Sequence, residues 1–293
     1  MIVYSFLQML PILILTLSGY LLSKVYEIHL DTLVKVITDF FMPALIFISL
    51  YQSDIKGSLV LDIAKATTLV VALLTLTSYL WARSCKLDKQ SFMPSLLFMN
   101  SGFLGIPLMN LWGGSEAMNL IVIYDQIQTI YIFTLGIFII TGGLSRKSFA
   151  SIVRSPILWA IFVGFFFRLT KLQLPEVLLT TFSFAGNAAP PLAAFTLGAS
   201  LVVTKFQLNR QIVAGLTIRF VGGYLFGMLA SALFGLTGLS RTVVIVASAL
   251  PSAVFTSVLP IRYGVKSDFG STMVLVSTVL GTLTIPLSFY LAG

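Results

Sequence analysis

Asn100, Ser101, Gly102, Gly105 and Pro107 crowd into "FMNSGFLGIPLMN" (98–110), inside a stretch that is otherwise apolar. Proline removes a backbone donor and clashes with the preceding turn, and glycine adds backbone freedom, so a helix running through this stretch is interrupted. A second interrupted stretch, "PSAVFTSVLPIRY" (251–263), brings Pro251 and Ser252. Backbone N–H and C=O groups freed by such breaks cannot face lipid, where each costs several kcal/mol, so they are expected to line an enclosed cavity and meet a ligand there. Pro107 and Pro251 suit the first turn of a new half-helix, whose N-terminal N–H groups favour an anion. The expected binding residues are Asn100, Ser101, Gly102, Gly105, Pro107, Pro251, Ser252 and Gln128.

Three ionisable residues lie within apolar runs: Asp39, Asp125 and Arg219. Each costs roughly 2.5–3.5 kcal/mol at a membrane helix centre, so each should face protein or water and find a partner. Tyr124, Asp125, Gln128 and Tyr131 share one helical face. Gly215, Arg219, Gly223 and Gly227 recur every fourth residue, a row of small side chains that allows close helix approach and leaves space for the arginine. Counted along their helices at about 1.5 Å per residue, Asp125 and Arg219 reach similar depths, so a mid-membrane pair is geometrically allowed. Such a pair either only stabilises the fold, or has a part in function, with Arg219 attracting an anion or Asp125 taking up a proton. Asp39, four residues before Pro43, is expected to cap the turn at that proline, with cation coordination as the alternative.

The elements that must position these residues follow from composition. Of 293 residues, 57% are hydrophobic and 10% charged, and mean hydropathy is +1.00. Too few charges remain to solvate a globule, so the chain reads as an all-α membrane protein. Ten apolar runs stand at about 3–23, 32–51, 61–82, 92–112, 117–141, 156–170, 177–202, 210–235, 242–263 and 269–291. The net charge of +8 forms no basic stripe, so no nucleic-acid partner is expected. If both termini are outside, the inner flanks hold twelve Lys and Arg and the outer flanks five, the bias of a multi-pass protein of the cell (inner) membrane. Cys85 is alone, which excludes an internal disulfide and a cysteine zinc site. The N-terminal run lacks a basic n-region and a small-residue cleavage motif and reads as a retained first span.

The polar connection "GGLSRKSFASIVRS" (142–155), expected as a cytoplasmic linker, divides the chain into two halves of five spans. "PILILTLSG" (11–19) matches "PILWAIFVG" (156–164), "DFFMPALIF" (39–47) matches "NAAPPLAAF" (187–195), and "WG" (112–113) matches "YG" (263–264), in order. An odd span number per half forces the halves into opposite orientations, the inverted-repeat plan of many secondary transporters, and it puts the two broken spans, the fourth and ninth, at equivalent places.

"LPILILTLSGYLL", "FFMPALIF", "NSGFLGIPLM", "AAPPLAAFTLGASL", "ALPSAVFTSVLPIRYG" and "VLVSTVLGTLTIPLSFYL" together resemble the auxin efflux carrier (PIN-like) family, nearly end to end. The resemblance implies ten helices in two inverted repeats of five, with helices 4 and 9 crossing at their broken centres. It divides each repeat into scaffold helices (about 3–51 of 1–141, and about 156–202 of 156–293) and transport helices (about 61–141 and 210–291). It also implies a homodimer through the scaffold helices, and a substrate held between the two parts near the crossover. Bacterial-type members are associated with small carboxylates such as malate and malonate, plant members with indole-3-acetate. The plant crossover tends to carry a further polar residue where Phe103 stands, which argues against an auxin-like substrate here.

The expected function is therefore a secondary carrier of a small organic anion working by an elevator-like or rocking movement. No cofactor is expected, and a coupling H+ or Na+ is left open. A primary pump lacks its phosphate-binding loop. An intramembrane aspartyl protease has only "YD" (124–125) and "ALP" (249–251) in its favour and lacks the second carboxylate motif. No zinc-protease or serine-nucleophile motif occurs, so the chain is not read as an enzyme. A non-transporting receptor on the same fold is the remaining alternative.

Overall fold

The computed structural model describes residues 2–52, 58–143, 150, 153–203 and 208–292. Lys56, Arg146, Lys147, Lys205 and the middle of the 142–155 linker lie outside the described residues. The described residues form helices joined by loops and turns, with an isolated antiparallel bridge between Met99 and Ser252. The helices are α1 (Ile2–Val25), α2 (Leu30–Gln52), α3 (Ser58–Ser84), the short α4 (Lys89–Phe92) and α5 (Pro94–Leu97), α6 (Ser101–Ile140), α7 (Pro156–Thr170), α8 (Glu176–Leu201), α9 (Arg210–Leu233), α10 (Gly238–Ser248), α11 (Phe255–Arg262) and α12 (Asp268–Ala292). By length and composition, α2, α3, α6, α9 and α12 can each cross a membrane. Helix α6 is kinked at Gly113 and Gly114, and Gly114 takes φ +66°, a left-handed conformation that disfavours any side chain. In the second half, Gly264 (φ +74°) turns the chain after α11 in the same way.

Two groups of helices pack among themselves. Helices α1, α2, α7 and α8 form one, and α3, α6, α9, α10 and α12 the other. In the first group α1 and α8 come within backbone contact: a Cβ on Gly198 would stand 1.8 Å from the Thr16 carbonyl oxygen, and one on Gly19 would stand 2.0 Å from that of Phe195. Only hydrogen fits there. Four π-helical turns, Ile37–Phe41, Ser101–Gly105, Ile132–Gly136 and Ile218–Gly222, widen the long helices locally. The first precedes Pro43, whose missing N–H would otherwise leave a gap in the ladder; the Met42 N–H reaches back to the Ile37 carbonyl instead.

The two breaks, after α5 and after α10, lie against each other. Asn100 N–H donates to the Pro251 carbonyl at 2.8 Å, and Ala253 N–H donates to the Phe98 carbonyl at 2.9 Å. Gln128 takes both backbone groups of Met99, accepting from its N–H at 3.1 Å and donating to its C=O at 2.7 Å. Ser252 Oγ donates to the Ser95 carbonyl at 2.6 Å, and Ser277 Oγ accepts from Ser252 N–H at 3.0 Å. Arg219, fully buried in the π turn of α9, donates to the Leu96 carbonyl at 2.6 Å and to the Ser248 carbonyl. One guanidinium thus satisfies the last turns of both half-helices, where the negative ends of their dipoles converge. Its row of glycines is what admits it: a Cβ on Gly223 would stand 2.1 Å from the Ser248 oxygen and 2.5 Å from the guanidinium.

The Phe98 and Pro251 carbonyls, the Asn100, Ser252 and Ala253 N–H groups and both backbone groups of Met99 are thus not open to a ligand. They are taken by each other and by buried side chains, because an unpaired backbone group in a dry interior is too costly to hold open. The placement of the prolines also differs. The half-helix after the first break starts at Ser101, so Pro107 lies past its first turn, and Pro251 lies inside the second break, ahead of α11.

Two outcomes are expected from thermal unfolding of the detergent-solubilised protein. Arg219→Met strands two buried carbonyls and lowers stability by about 3 kcal/mol, and Arg219→Lys recovers only part of this because a single ammonium lacks the fork. Gly198→Ala forces α1 from α8 and costs about 2 kcal/mol or more, whereas Gly222→Ala, whose Cβ would meet nothing nearer than 3.7 Å, leaves the midpoint unchanged.

Candidate functional site

Beside the paired breaks lies a cavity of about 260 Å³ shared by the two helix groups. Helix α2 contributes Met42, Leu45, Ile46, Ser49 and Leu50, and α8 contributes Asn187 and Pro190. The opposite wall comes from the first break and α6, through Met99, Asn100, Gly102, Phe103, Ile106, Asp125, Gln126, Gln128, Thr129, Ile132 and Phe133. Ala253 and Phe255 close it from the second break and α11. Most of this wall is apolar. Phe103 packs edge-on against Phe255 at 5.3 Å between ring centroids, and Phe133 lies 6.3 Å from Phe255.

The polar groups are few and held from behind. Asn100 is 2% exposed, and its Nδ2 has no hydrogen-bond partner among the described residues. An unpaired amide donor in an apolar wall is costly unless something else accepts from it. Gln128 cannot flip, because its two ends are fixed by the N–H and C=O of the same residue, Met99. Its Nε2 also donates to Ser101 Oγ at 2.8 Å, which directs the Ser101 hydroxyl hydrogen onto Asp125 Oδ1 at 2.7 Å. The Asp125 carboxylate lies under the backbone of Gly102, where a Cβ would stand 3.1 and 3.2 Å from its two oxygens. Gln126 reaches across to α2, donating from Nε2 to the Ser49 carbonyl at 3.0 Å, and its Oε1 has no partner among the described residues.

Of the residues expected from sequence, Asn100, Gly102, Gln128 and Asp125 line this cavity. Ser101 stands behind it and holds Asp125. Gly105 packs against Ile121 and Leu250 and is not in the wall. Pro107 is also outside the lining, and Pro251 and Ser252 are buried in the pairing of the breaks. The Asp125–Arg219 pair does not form: each is committed elsewhere, Asp125 to Ser101 and Arg219 to the two carbonyls. Equal depth on two helices did not put the side chains on facing sides. Tyr124, from the same predicted face, turns its hydroxyl to Ser248 Oγ at 3.1 Å, and Tyr131 donates to Thr68 Oγ1 at 3.1 Å.

Asp39 neither caps the turn at Pro43 nor joins an acidic group able to hold a metal among the described residues. The π turn already accommodates the proline, and the carboxylate is free to meet Arg262 at the end of α11, at 2.8 Å and 3.2 Å. This ion pair joins α2 to the end of α11, and neither residue lines the cavity.

The side of the cavity formed by α2 and α8 was not foreseen as a site. Its signal was the matched pair "DFFMPALIF" and "NAAPPLAAF", because Met42 and Leu45 fall in the first and Asn187 and Pro190 in the second.

Comparison with known proteins gives the geometry its context. The membrane transport protein family matches residues 4–149 and 141–289. A protein named as an uncharacterised transporter from Methanothermobacter thermautotrophicus is 31% identical over 291 residues, covering 95% of each chain. Another so named, from Methanocaldococcus jannaschii, is 25% identical and covers 95% of this chain and 96% of its own. A probable auxin efflux carrier component of Oryza sativa is 26% identical over 147 residues, which is 48% of this chain and 25% of that one. With a family match over both halves and a relative above 30% identity along almost the whole length, the chain belongs to the membrane transport protein family, that of the auxin efflux carriers, whose members are transporters and not enzymes.

Proposed function

We propose that the chain is a secondary carrier that moves a small organic anion, such as malate or malonate, across the cell membrane by alternating access. In this reading it makes ten crossings in two inverted repeats, 1–141 and 156–293, with both termini outside. The spans interrupted after α5 and α10 are its crossover helices. The group of α1, α2, α7 and α8 serves as scaffold and dimer contact, and the other group moves against it, carrying the substrate in the shared cavity. A site between two separately packed groups is where relative movement changes access.

The observation that carries this reading is Asn100. Its buried Nδ2 has no partner among the described residues, on the wall of a cavity bounded by both groups. A carboxylate oxygen is the acceptor that such a donor suits. The aromatic contacts of Phe103, Phe133 and Phe255 favour a second reading, a carboxylate on an aromatic body such as indole-3-acetate. Both share the amide-to-carboxylate contact and differ in what fills the apolar remainder.

Uptake of labelled malonate, malate and indole-3-acetate into proteoliposomes tests the reading and separates the two. Saturable flux of a dicarboxylate is expected, and saturable flux of indole-3-acetate alone supports the second. Absence of flux for all three, from folded protein, favours a receptor and sinks the carrier. Asn100→Ala is expected to raise the half-saturation concentration about tenfold to a hundredfold, the worth of a hydrogen bond to a charged group at about 1.5–3 kcal/mol. Arg262→Gln is expected to change the rate by less than about fivefold, because a half-exposed ion pair is worth about 1 kcal/mol or less. Exchanging the charges in Asp39→Arg/Arg262→Asp should restore the original rate.

A further inference from the structure

Among the described residues lining the cavity, Asp125 is the only ionisable one. The other polar groups on the wall of its cavity are uncharged, Asn100 at the break, Ser49 on α2, Asn187 on α8 and Gln126, Gln128 and Thr129 on α6, and its own hydrogen-bond partner is the Ser101 hydroxyl. On its own helix Tyr124 turns away to Ser248, and Gln126 and Gln128 are amides. Among the described residues the fully buried cation is Arg219, held by two backbone carbonyls, and Arg262 is held by Asp39. An ionised Asp125 would therefore stand without a counter-charge in the same low-dielectric cavity as the substrate carboxylate, and the two would repel each other.

We propose that Asp125 is the proton-binding residue of the transport cycle, and that the carrier moves one proton together with each anion. The proposal rests on the reading of the cavity as an anion site and names the coupling that such a site needs. The hydrogen-bond chain shows where the proton goes. Gln128 Nε2 donates to Ser101 Oγ and Ser101 Oγ donates to Asp125 Oδ1, so Oδ1 is an acceptor in either state. Asp125 Oδ2 has no partner among the described residues, and it receives the proton from water as the anion enters. The resulting O–H can donate to the substrate carboxylate beside the Asn100 amide. On the release side the anion leaves, the O–H bond breaks and the proton returns to water. No other group changes its covalent state. Gly102 is part of the device, since a side chain there would press on both carboxylate oxygens.

The test uses the full chain in liposomes loaded with a pH-sensitive dye, with membrane potential clamped at zero and labelled malonate as probe. Exchange of internal for external malonate needs no net proton movement and reports whether the protein carries the anion at all. If wild-type protein shows no exchange, the anion-carrier reading fails, and the coupling proposal falls with it. Given exchange, net influx is expected to bring one proton per malonate, and an inward proton gradient to accumulate malonate about tenfold per pH unit. Malonate that exchanges but neither moves protons nor responds to the gradient overturns the proposal. In Asp125→Asn the proton-to-malonate ratio should fall to zero and gradient-driven accumulation should vanish, whatever rate remains. A ratio that stays at one in that variant overturns the assignment. Should Asp125→Asn not exchange, Asp125→Glu decides: exchange with a ratio of one supports the proposal, while uncoupled or absent exchange overturns it.

Discussion

Unpaired backbone groups cannot be left in the dry interior of a helical membrane protein, and the arrangement described here follows from that constraint. Two helices are broken at depth, and each break supplies the donors and acceptors that the other lacks. The Met99–Ser252 bridge and its flanking bonds form a two-residue patch of sheet between chains that are otherwise wholly helical. Gln128 and Arg219 satisfy further backbone groups beside the patch. Asn100 and Asp125 stand at its edge and line the cavity.

The buried charges sort by partner. Arg219 serves the backbone, as a five-donor fork suited to two carbonyls at once. Asp39 and Arg262 serve each other between α2 and α11, in a partly exposed position where separating them is inexpensive. Among the described residues that line the cavity, Asp125 alone is ionisable, and its hydrogen-bond partner is the neutral Ser101 hydroxyl. These buried or half-buried charges thus have three different kinds of partner: backbone carbonyls, an opposite charge and a hydroxyl.

Much of this was legible in the sequence. Interruptions within 98–110 and 251–263 follow from helix breakers set in apolar runs, although the structure narrows them to 98–100 and 249–254 and carries one kinked helix through Gly113, where two spans were expected. Asn100, Gly102, Asp125 and Gln128 were recognisable because polar and small residues are conspicuous in such runs. The partners were not legible. Depth along a helix says nothing about azimuth, so Asp125 and Arg219 could be placed level and still face different neighbours. The α2 and α8 wall was hidden for another reason: Met42, Leu45 and Ile46 look like any lipid-facing or core residue until a neighbour leaves space beside them. The π turns were equally invisible, since nothing in "ITDFF" or "IRFVG" marks a widened turn.

The mutual pairing of the breaks also bears on biosynthesis. Phe98, Met99 and Asn100 enter the membrane long before the residues around Pro251 are made. Until then the Asn100 N–H and the Phe98 carbonyl lack their native partners, and the Leu96 carbonyl waits for Arg219. The first half therefore leaves the ribosome with the native partners of its broken span still to come. Folding ends late and across the whole chain, when the second half arrives to close the first.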